Sequence, residues 1–375
     1  MKRGLSIVLA VMLAVSTAAC GGGQGEKASE APVAEQTKAK ETESEAKKEL
    51  TKVTLSAQPA PHSLPIFAAL QKGWFEEEGL DVEVLTYISG PPQMEAVPSD
   101  AWQMGISGIA ATVTGVVGYD LTVCGFSVWD HPSQRLFARP DSPIVTAGKG
   151  KVEGHPEIYG TADDYRGIDI LCTKGTLGHL QLLATLKALG LTEDDVNIIH
   201  MEIPAAYQAF KAGEADAFVT WSTFTQQAQE EGWVEVSSAE KAGLLVPSAI
   251  LANETVINND PETVQKLMNV IFRGIMWVND NKEEAAKLYY DVCMEEGVNA
   301  TEEFCKITMD EHSAPTLEEM EEMLENGGFE KNLENVMSFY MEQGTYTEVE
   351  KKKVIDSFDG QYLKNAMESY KKLEK

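Results

Sequence analysis

The sequence predicts an α/β protein with two lobes, and three observations support this prediction. From about residue 52 onward, short apolar runs typical of strands alternate with amphipathic stretches typical of helices. Two turns of small residues, Ser107-Gly108 and Gly175-Thr176, each join such a strand to such a helix. Roughly 325 residues follow the N-terminal region, which is enough chain for two lobes with a hydrophobic core each.

The N-terminal region has the pattern of an export signal. Lys2 and Arg3 precede an apolar run over residues 5–15, which is too short to span a bilayer as a helix. Small residues then lead to Cys20, and this arrangement resembles the bacterial lipobox. We therefore expect a signal peptide over residues 1–19 and a diacylated Cys20 that anchors an extracytoplasmic protein to the bacterial cell membrane. The alternative is a plain signal peptide with an incidental cysteine.

Residues 20–51 are expected to form a disordered tether between the lipid and the folded body. The segment contains no aromatic residue and consists mainly of Glu, Lys, Ala, Thr and Ser. Such a composition cannot bury enough apolar surface to offset the entropy lost on ordering. An amphipathic helix is the alternative, but the segment shows no apolar stripe.

The net charge excludes nucleic acid as a partner. The formal charge is −28, and it becomes −30 (29 basic against 59 acidic residues) once Lys2 and Arg3 leave with the signal. Such a surface repels the phosphates of DNA and RNA. An anionic small ligand is still compatible, because local helix dipoles rather than the net charge govern a buried site.

The sequence predicts neither a metal site, nor a cofactor, nor a catalytic motif. Cys124 and Cys172 lie in apolar runs and are expected to be buried thiols, whereas Cys293 and Cys305 could pair. The sequence contains no nucleophile elbow, phosphate loop or paired-histidine zinc motif. The C-terminal methionines, such as Met320, have the helical spacing of a core. We therefore expect no enzymatic activity, and the chain is expected to be a monomer.

The first predicted unit carries a family resemblance. It comprises a strand over 52–56, a helix over 65–72 and a strand over 81–87. Residues 72–90 read KGWFEEEGLDVEVLTYISG. This run resembles the signature of substrate-binding proteins of nitrate/taurine/sulfonate-type ABC transporters, which are members of the NMT1/THI5-like family.

The alternation of strands and helices continues through the chain. Pro98 should end a short helix early, and residues 213–221 resemble a family strand that ends in Trp. Residues 140–160 exceed the family's usual connection and are expected to be a surface insertion. The strand 134–139 and the segment 244–251 resemble the family's first and second crossovers between lobes. The other predicted strands are 104–107, 121–128, 168–171 and 196–202, and the helices are 109–117, 177–189, 204–212 and 261–280, with a helical C-terminus.

The resemblance implies an architecture and a mode of action. The expected fold is the two-lobed type II periplasmic-binding-protein fold, or Venus flytrap, with two crossover segments and extra C-terminal helices. Residues 52–137 with 244–375 would form lobe 1, and residues 138–243 would form lobe 2. A sulfonate-, nitrate- or taurine-like ligand would be captured between the lobes by hinge closure. It would then pass to a membrane permease that a cytoplasmic ATPase drives.

The two strand-to-helix turns are the expected jaws of the ligand site. Backbone N–H groups at a helix start have no partner within the helix and lie at the positive end of its dipole, so they favour anionic or polar ligands. One jaw would consist of Ser107 and Gly108. The other would consist of Gly175, Thr176 and Leu177, with Thr176 as the N-cap.

Side chains near strand ends complete the expected site. A neutral His179 should face Ser107 across the cleft. The alternatives are a plain loop at Trp129, a core position for Trp221 and an ordinary turn without a ligand at residues 167–191. The side chains and glycine expected to contact the ligand, besides the two jaws, are Gln58, His62, Ser89, Gly90, Trp129, His179 and Trp221.

Three alternatives to an oxyanion receptor stay open. The tryptophans would equally suit a flat neutral ring, such as a pyrimidine or a flavin precursor. A sensory or adhesion lipoprotein could keep the fold without taking part in transport. An enzyme that makes a thiamine pyrimidine is disfavoured, because such relatives carry a cysteine-rich motif and are not exported lipoproteins.

Overall fold

Two five-stranded sheets follow the same strand plan. The computed structural model describes residues 50–373. The strands are β1 Thr51–Ala57, β2 Leu80–Thr86, β3 Met104–Ser107, β4 Thr122–Trp129, β5 Arg135–Ala138, β6 Asp169–Cys172, β7 Asn197–His200, β8 Ala217–Thr220, β9 Val234–Ser238 and β10 Pro247–Ala252. Their order is β2-β1-β3-β10-β4 in the first sheet and β7-β6-β8-β5-β9 in the second. In both sheets the first three strands are parallel and the fourth is antiparallel to both neighbours. The expected common plan of the two halves is confirmed.

The helices agree with most of the predicted spans. Helix α3 ends at Glu95, and Pro98 lies in the short 3-10 turn that follows. The helix thus ends early, as expected from Pro98. The helices are α1 Leu64–Lys72, α2 Trp74–Glu77, α3 Gly90–Glu95, α4 Ile109–Tyr119, α5 Pro143–Ala147, α6 Ala162–Tyr165, α7 Leu177–Ala188, α8 Ile203–Lys211, α9 Thr223–Glu230, α10 Glu254–Asn259, α11 Pro261–Asp280, α12 Lys282–Glu295, α13 Glu302–Glu311, α14 Leu317–Asn326, α15 Gly328–Glu342, α16 Glu348–Asp356 and α17 Gly360–Leu373.

The chain passes between the sheets twice, through residues 130–134 and residues 239–246. The segment 134–139, expected as the first crossover, is largely β5, which pairs with β8 and β9 of the second sheet. The expected lobe division at residue 137 therefore falls inside a strand. An extended apolar run has the same sequence pattern whether it bridges two lobes or pairs within one, so the pattern alone could not separate these cases.

The two connecting segments are joined by backbone hydrogen bonds. The N–H of Asp130 donates to the carbonyl of Val246 at 3.0 Å, and the N–H of Ala239 donates to the carbonyl of Gln134 at 3.0 Å. These bonds place both segments side by side between the sheets. We refer to residues 130–134 and 239–246 together as the hinge.

Residues 140–160 are not a purely superficial insertion. Helix α5 lies within them, and the side chains of Ile144 and Ile158 are fully buried. The N–H of Tyr159 donates to the carbonyl of Val236 in β9 at 3.0 Å. Burial of Ile144 in the core cluster of the second sheet anchors the segment to the second lobe.

The C-terminal helices pack on the first sheet. Phe329 of α15 stacks on Phe126 of β4, with ring centroids 4.9 Å apart, and Phe358 makes an isolated bridge to Val123. Met320 is buried in the same core. Among residues 50–373, no group of three or more His, Cys, Asp and Glu side chains could hold a metal ion.

Several calls concern residues that the structure does not describe. The expected signal peptide, Cys20 and nearly all of the tether lie outside residues 50–373. Strand β1 begins at Thr51, at the end of the expected tether. No helix within the described part of the chain is long and apolar enough to cross a bilayer.

The cysteines of the described region are free thiols in the interior. Burial raises the pKa of the Cys124 and Cys172 thiols well above the ordinary range, as expected for side chains enclosed by apolar strands. Cys293 and Cys305 are also buried free thiols, so the pairing considered for them is not formed in this structure.

Candidate functional site

One cavity lies between the lobes and is lined by residues of both. Its volume is about 30 Å³, measured as the space open to the centre of a water-sized sphere, which accommodates about two water molecules. The lobes are therefore closed around it. The lining residues are Gln58, Ala60, His62, Ser89, Gly90, Gly108, Ala111, Asp130, Gln134, Thr176, Leu177, Trp221 and Ser222.

The two expected jaws meet at this cavity. Gly108 is the N-cap residue of α4, and no side chain caps that helix start. Thr176 is the N-cap of α7, as expected, and its hydroxyl accepts a hydrogen bond from the N–H of His179 at 3.3 Å. A Cβ atom placed on Gly108 would lie 3.7 Å from the Cβ of Leu177. The unpaired N–H groups of both helix starts thus lie on opposite sides of one small space.

A third helix start joins the two jaws. Ser222 precedes α9 with φ 49° and ψ −131°, a backbone conformation that L-residues rarely adopt. Trp221 lines the cavity beside it and also packs against the first turn of α7, where a Cβ on Gly178 would lie 3.2 Å from the indole. Trp221 was expected at the site, but Ser222 was not. The residue types in a Trp-Ser-Thr run do not predict a positive φ.

A buried amide network positions Gln58 at the cavity. Its Nε2 donates to the Oε1 of Gln93 at 2.8 Å and to the hydroxyl of Ser107 at 3.2 Å. Gln93 in turn donates from Nε2 to the hydroxyl of Ser56 at 2.8 Å. Both amide hydrogens of Gln58 are used, which leaves its Oε1 as an acceptor. Ser107 therefore holds Gln58 in place and does not itself line the cavity.

A histidine–carboxylate pair forms another part of the wall. Nδ1 of His62 lies 3.3 Å from the carboxylate of Asp130, and each residue is only 4% exposed. Because Nδ1 faces a carboxylate, it carries the hydrogen. Burial opposes ionisation of Asp130, but the charge and hydrogen bond of His62 outweigh it and hold the pKa of this carboxyl below its ordinary value. Asp130 is therefore an anion at neutral pH.

Trp129 and His179 do not line the cavity. The Trp129 ring lies edge-on to His131, with centroids 6.0 Å apart. The Nε2 of His179 lies 2.7 Å from the carboxylate of Glu193, and its Nδ1 lies 3.5 Å from the N–H of Gly175. The ring of His179 is thus turned toward Glu193 and not toward Ser107, because a carboxylate 14 residues further along the chain supplies a stronger partner.

The structure brings together eight of the twelve expected residues and separates four. Asp130 and Gln134, directly after strand β4, had a usable signal, since ligand groups gather at strand ends in open sheets. Contact of any of these residues with a ligand stays a prediction. The eight that line the cavity are Gln58, His62, Ser89, Gly90, Gly108, Thr176, Leu177 and Trp221; the four that do not are Ser107, Trp129, Gly175 and His179; the five not selected from sequence are Ala60, Ala111, Asp130, Gln134 and Ser222.

Comparison with known proteins identifies the family. The model of the NMT1/THI5-like family matches residues 60–156 and 160–285, more than half of the chain. The chain belongs to this family. The family resemblance read from residues 72–90 is therefore confirmed.

Relatives and a solved structure agree with this assignment. A Brachyspira hyodysenteriae protein named as an ABC transporter periplasmic binding protein is 27% identical over 270 residues, which cover 72% of this chain and 78% of the relative. A Bacillus subtilis protein named as an aliphatic sulfonates-binding protein is 22% identical, covering 78% and 79%. The alkanesulfonate-binding protein SsuA of Xanthomonas axonopodis pv. citri, solved bound to MOPS, superposes with a TM-score of 0.64 at 16% identity and covers 83% of this chain and 99% of its own. The fold is thus the type II periplasmic-binding-protein fold.

The family also contains enzymes. The Saccharomyces cerevisiae protein THI13, named as a 4-amino-5-hydroxymethyl-2-methylpyrimidine phosphate synthase, is 23% identical over 252 residues, which cover 63% of this chain and 69% of its own. Family membership by itself therefore does not exclude an enzyme. The residues that line the cavity include no cysteine.

Proposed function

We propose that this chain is the extracytoplasmic solute-binding receptor of an ABC importer. The observation that carries the proposal is the cavity closed between Gly108 of the first lobe and Thr176 and Leu177 of the second. Relatives named as transporter binding proteins support the same function. A lipid on Cys20 would anchor the receptor to the cell membrane, where it would deliver its ligand to a permease driven by a cytoplasmic ATPase.

Capture would work by opening and closing at the hinge. The jaws of both lobes meet at one small cavity, so the lobes must separate to admit a ligand and then close again around it. A ligand that contacts both jaws binds the closed form better than the open form and shifts the population toward closure. The two connecting segments bend as a unit, because backbone hydrogen bonds join them at Asp130 and Gln134.

The proposed ligand is a small organic molecule or oxyanion of the sulfonate, nitrate or taurine type. The free N–H groups at the starts of α4, α7 and α9 would supply its hydrogen bonds. The cavity lining contains neither lysine nor arginine, so these backbone groups and uncharged side-chain donors such as Trp221 and Ser222 would hold an anionic group.

A second candidate ligand is a neutral heterocycle such as a pyrimidine. Trp221 offers a flat apolar wall in the cavity, and an indole favours stacked or edge-on rings. The ring would take the place of the anionic group and would be held by the same jaws.

The test is a thermal-unfolding screen of the full-length protein in detergent. The panel contains ethanesulfonate, taurine, nitrate, 4-amino-2-methylpyrimidine and riboflavin. A true ligand raises the melting temperature progressively with its concentration, because it binds only the folded state. No shift with any of these compounds would overturn the proposal.

A pair of matched variants locates the binding site. Thr176→Val removes the N-cap hydroxyl at the cavity and is expected to weaken the ligand-induced shift. Thr316→Val removes an N-cap hydroxyl with the same geometry, which accepts from the N–H of Glu319 at 3.2 Å but lies outside the cavity lining. Thr316→Val should therefore leave the ligand-induced shift unchanged, and an equal loss in both variants would contradict the site.

A further inference from the structure

Three hydrogen-bond acceptors belong to side chains of residues that line the cavity. Oε1 of Gln58 is left over when both amide hydrogens are donated within the first lobe. Oε1 of Gln134 is buried and has no partner among the described residues, while its Nε2 lies 3.5 Å from the carbonyl of Asp130. The third acceptor is the carboxylate of Asp130, which lies beside the start of α4, since a Cβ on Gly108 would be 3.6 Å from it. The lining thus combines oxygen acceptors with the N–H donors of the helix starts.

The Asp130 carboxylate is far from saturated by its protein partner. Within residues 50–373, the side chain of His62 is its only hydrogen-bond partner, at 3.3 and 3.4 Å from the two carboxylate oxygens. An ionised carboxylate can accept about four hydrogen bonds, and charge-assisted N–H···O bonds are usually about 2.7–2.9 Å long. A carboxylate 4% exposed and so weakly paired has capacity for a further donor.

The charge of Asp130 favours a nitrogen group and disfavours an oxyanion. Burial opposes ionisation of Asp130, but its interaction with His62 keeps the carboxylate ionised. An oxyanion placed against it would be repelled, whereas an ammonium, amidine or ring amino group would donate to it and be stabilised.

We infer that the ligand carries a polarised N–H group, recognised by Asp130 together with the oxygens of Gln58 and Gln134. The inference rests on the proposed function and narrows its ligand class. The amino group lies against Asp130, and an anionic or ring-acceptor group lies against the starts of α7 and α9. Amino sulfonates and amino pyrimidines satisfy both contacts, whereas nitrate and simple alkanesulfonates satisfy only one.

Two matched ligand pairs test the inference by calorimetric titration of the full-length protein in detergent. Taurine and ethanesulfonate differ by one amino group, as do 4-amino-2-methylpyrimidine and 2,4-dimethylpyrimidine at their 4-position. At least one amino compound is expected to bind tenfold or more tightly than its partner compound. Asp130→Asn should abolish that preference, whereas Asp81→Asn, which changes an exposed carboxylate on β2, should keep it.

The outcomes separate the inference from the proposed function. Binding of ethanesulfonate or dimethylpyrimidine at least as tightly as the amino partner would overturn the inference and leave the receptor function standing. Retention of the amino preference in a folded Asp130→Asn variant would also overturn it. Absence of binding by all four compounds would overturn the inference, and the receptor function would fall with it if nitrate and riboflavin also gave no shift in the thermal screen. If Asp130→Asn does not fold, the preference of the wild type for the amino compound still tests the inference. Gln134→Met then supplies a second variant, which is expected to weaken binding of the amino compound selectively.

Discussion

Gly108 and Leu177 belong to different lobes and yet come so close that a Cβ on the glycine would lie 3.7 Å from the Cβ of Leu177. The same Cβ would lie 3.6 Å from a carboxylate oxygen of Asp130. Both are ordinary van der Waals distances, and Gly108 has φ −60°, which any L-residue adopts. The contact therefore has room for one methyl group and for nothing larger.

Substitution of Gly108 should thus separate folding from closure. Gly108→Ala is expected to fold and to bind ligand about as well as the wild type. Gly108→Leu overfills the contact between the lobes and should destabilise the closed form by about 1–3 kcal/mol. This cost corresponds to a roughly 5- to 150-fold loss of ligand affinity. Small-angle scattering with and without the ligand identified by the screen measures closure directly. A Gly108→Leu variant that contracts and binds like the wild type would contradict the proposed mechanism.

Gly90 is predicted to be needed for the close approach of α3 to α4. A Cβ at this position would lie 2.3 Å from the Cβ of Ala111. Gly90→Ala should therefore lower the free energy of unfolding by roughly 1–3 kcal/mol in urea denaturation. In the double variant Gly90→Ala/Ala111→Gly the clash is removed, so its loss should be smaller than the sum of the two single losses.

Gly118 provides the control for this experiment. Gly118 lies in α4, the helix that carries Ala111, but a Cβ at this position meets nothing within 4 Å. Gly118→Ala should leave the protein unchanged or stabilise it by up to about 1 kcal/mol, since alanine favours the helix. A destabilisation equal to that of Gly90→Ala would show that glycine is needed in α4 for another reason.

Local sequence was sufficient to predict the parts of the site that are local. The N-cap at Thr176 and the helix start at Gly108 follow from residue type and from the neighbouring apolar periodicity. The wall at Trp221 followed from its place at the end of a strand. Chain length allowed two lobes, and the family resemblance at residues 72–90 then supplied their type II arrangement with two crossovers, which composition and periodicity alone do not define.

The pairings between distant side chains could not be predicted in the same way. His62 and Asp130 are 68 positions apart, and only the folded hinge brings them together. His179 was assigned to the cleft from its helix position, but the rotamer it adopts depends on Glu193, which follows α7 in a short 3-10 turn. Such choices depend on tertiary contacts, and no residue spacing reports them.

The His179–Glu193 pair is expected to contribute to stability at neutral pH. The hydrogen bond from His179 lowers the pKa of Glu193, against the opposing effect of burial. A carboxyl whose pKa is lowered on folding stabilises the protein above its unfolded pKa of about 4.3, and this contribution disappears as the pH falls through the folded value. Glu193→Gln should therefore cost roughly 1 kcal/mol at pH 7 and less at pH 3.

Urea denaturation at the two pH values measures this difference. Glu83→Gln is the matched control, because Glu83 is an exposed carboxylate on β2. It should change stability at neither pH. A cost of Glu193→Gln that persists in full at pH 3 would mean that the side chain acts by packing and not by its charge.

A buried histidine beneath the hinge is predicted to dominate one part of the acid response. Nδ1 of His312 lies 2.7 Å from the carbonyl of Thr308 and so carries the hydrogen, while Nε2 accepts from the hydroxyl of Ser133 at 2.7 Å. Burial lowers the pKa of His312 to about 4, with Asp130 opposing this shift and His62 and Lys282 adding to it. The folded protein therefore holds His312 neutral at pH values where the unfolded chain protonates it.

The sign of the effect follows from proton binding. Between about pH 6.5 and pH 4 the unfolded chain binds a proton at His312 that the folded chain does not, so the free energy of unfolding falls as the pH is lowered. For a shift of this size the loss is about 3 kcal/mol. His312→Gln should be less stable than the wild type at pH 7, but its stability should fall by about 3 kcal/mol less on going to pH 4. Equal acid responses in the wild type and in His312→Gln would show that His312 is not held neutral by folding.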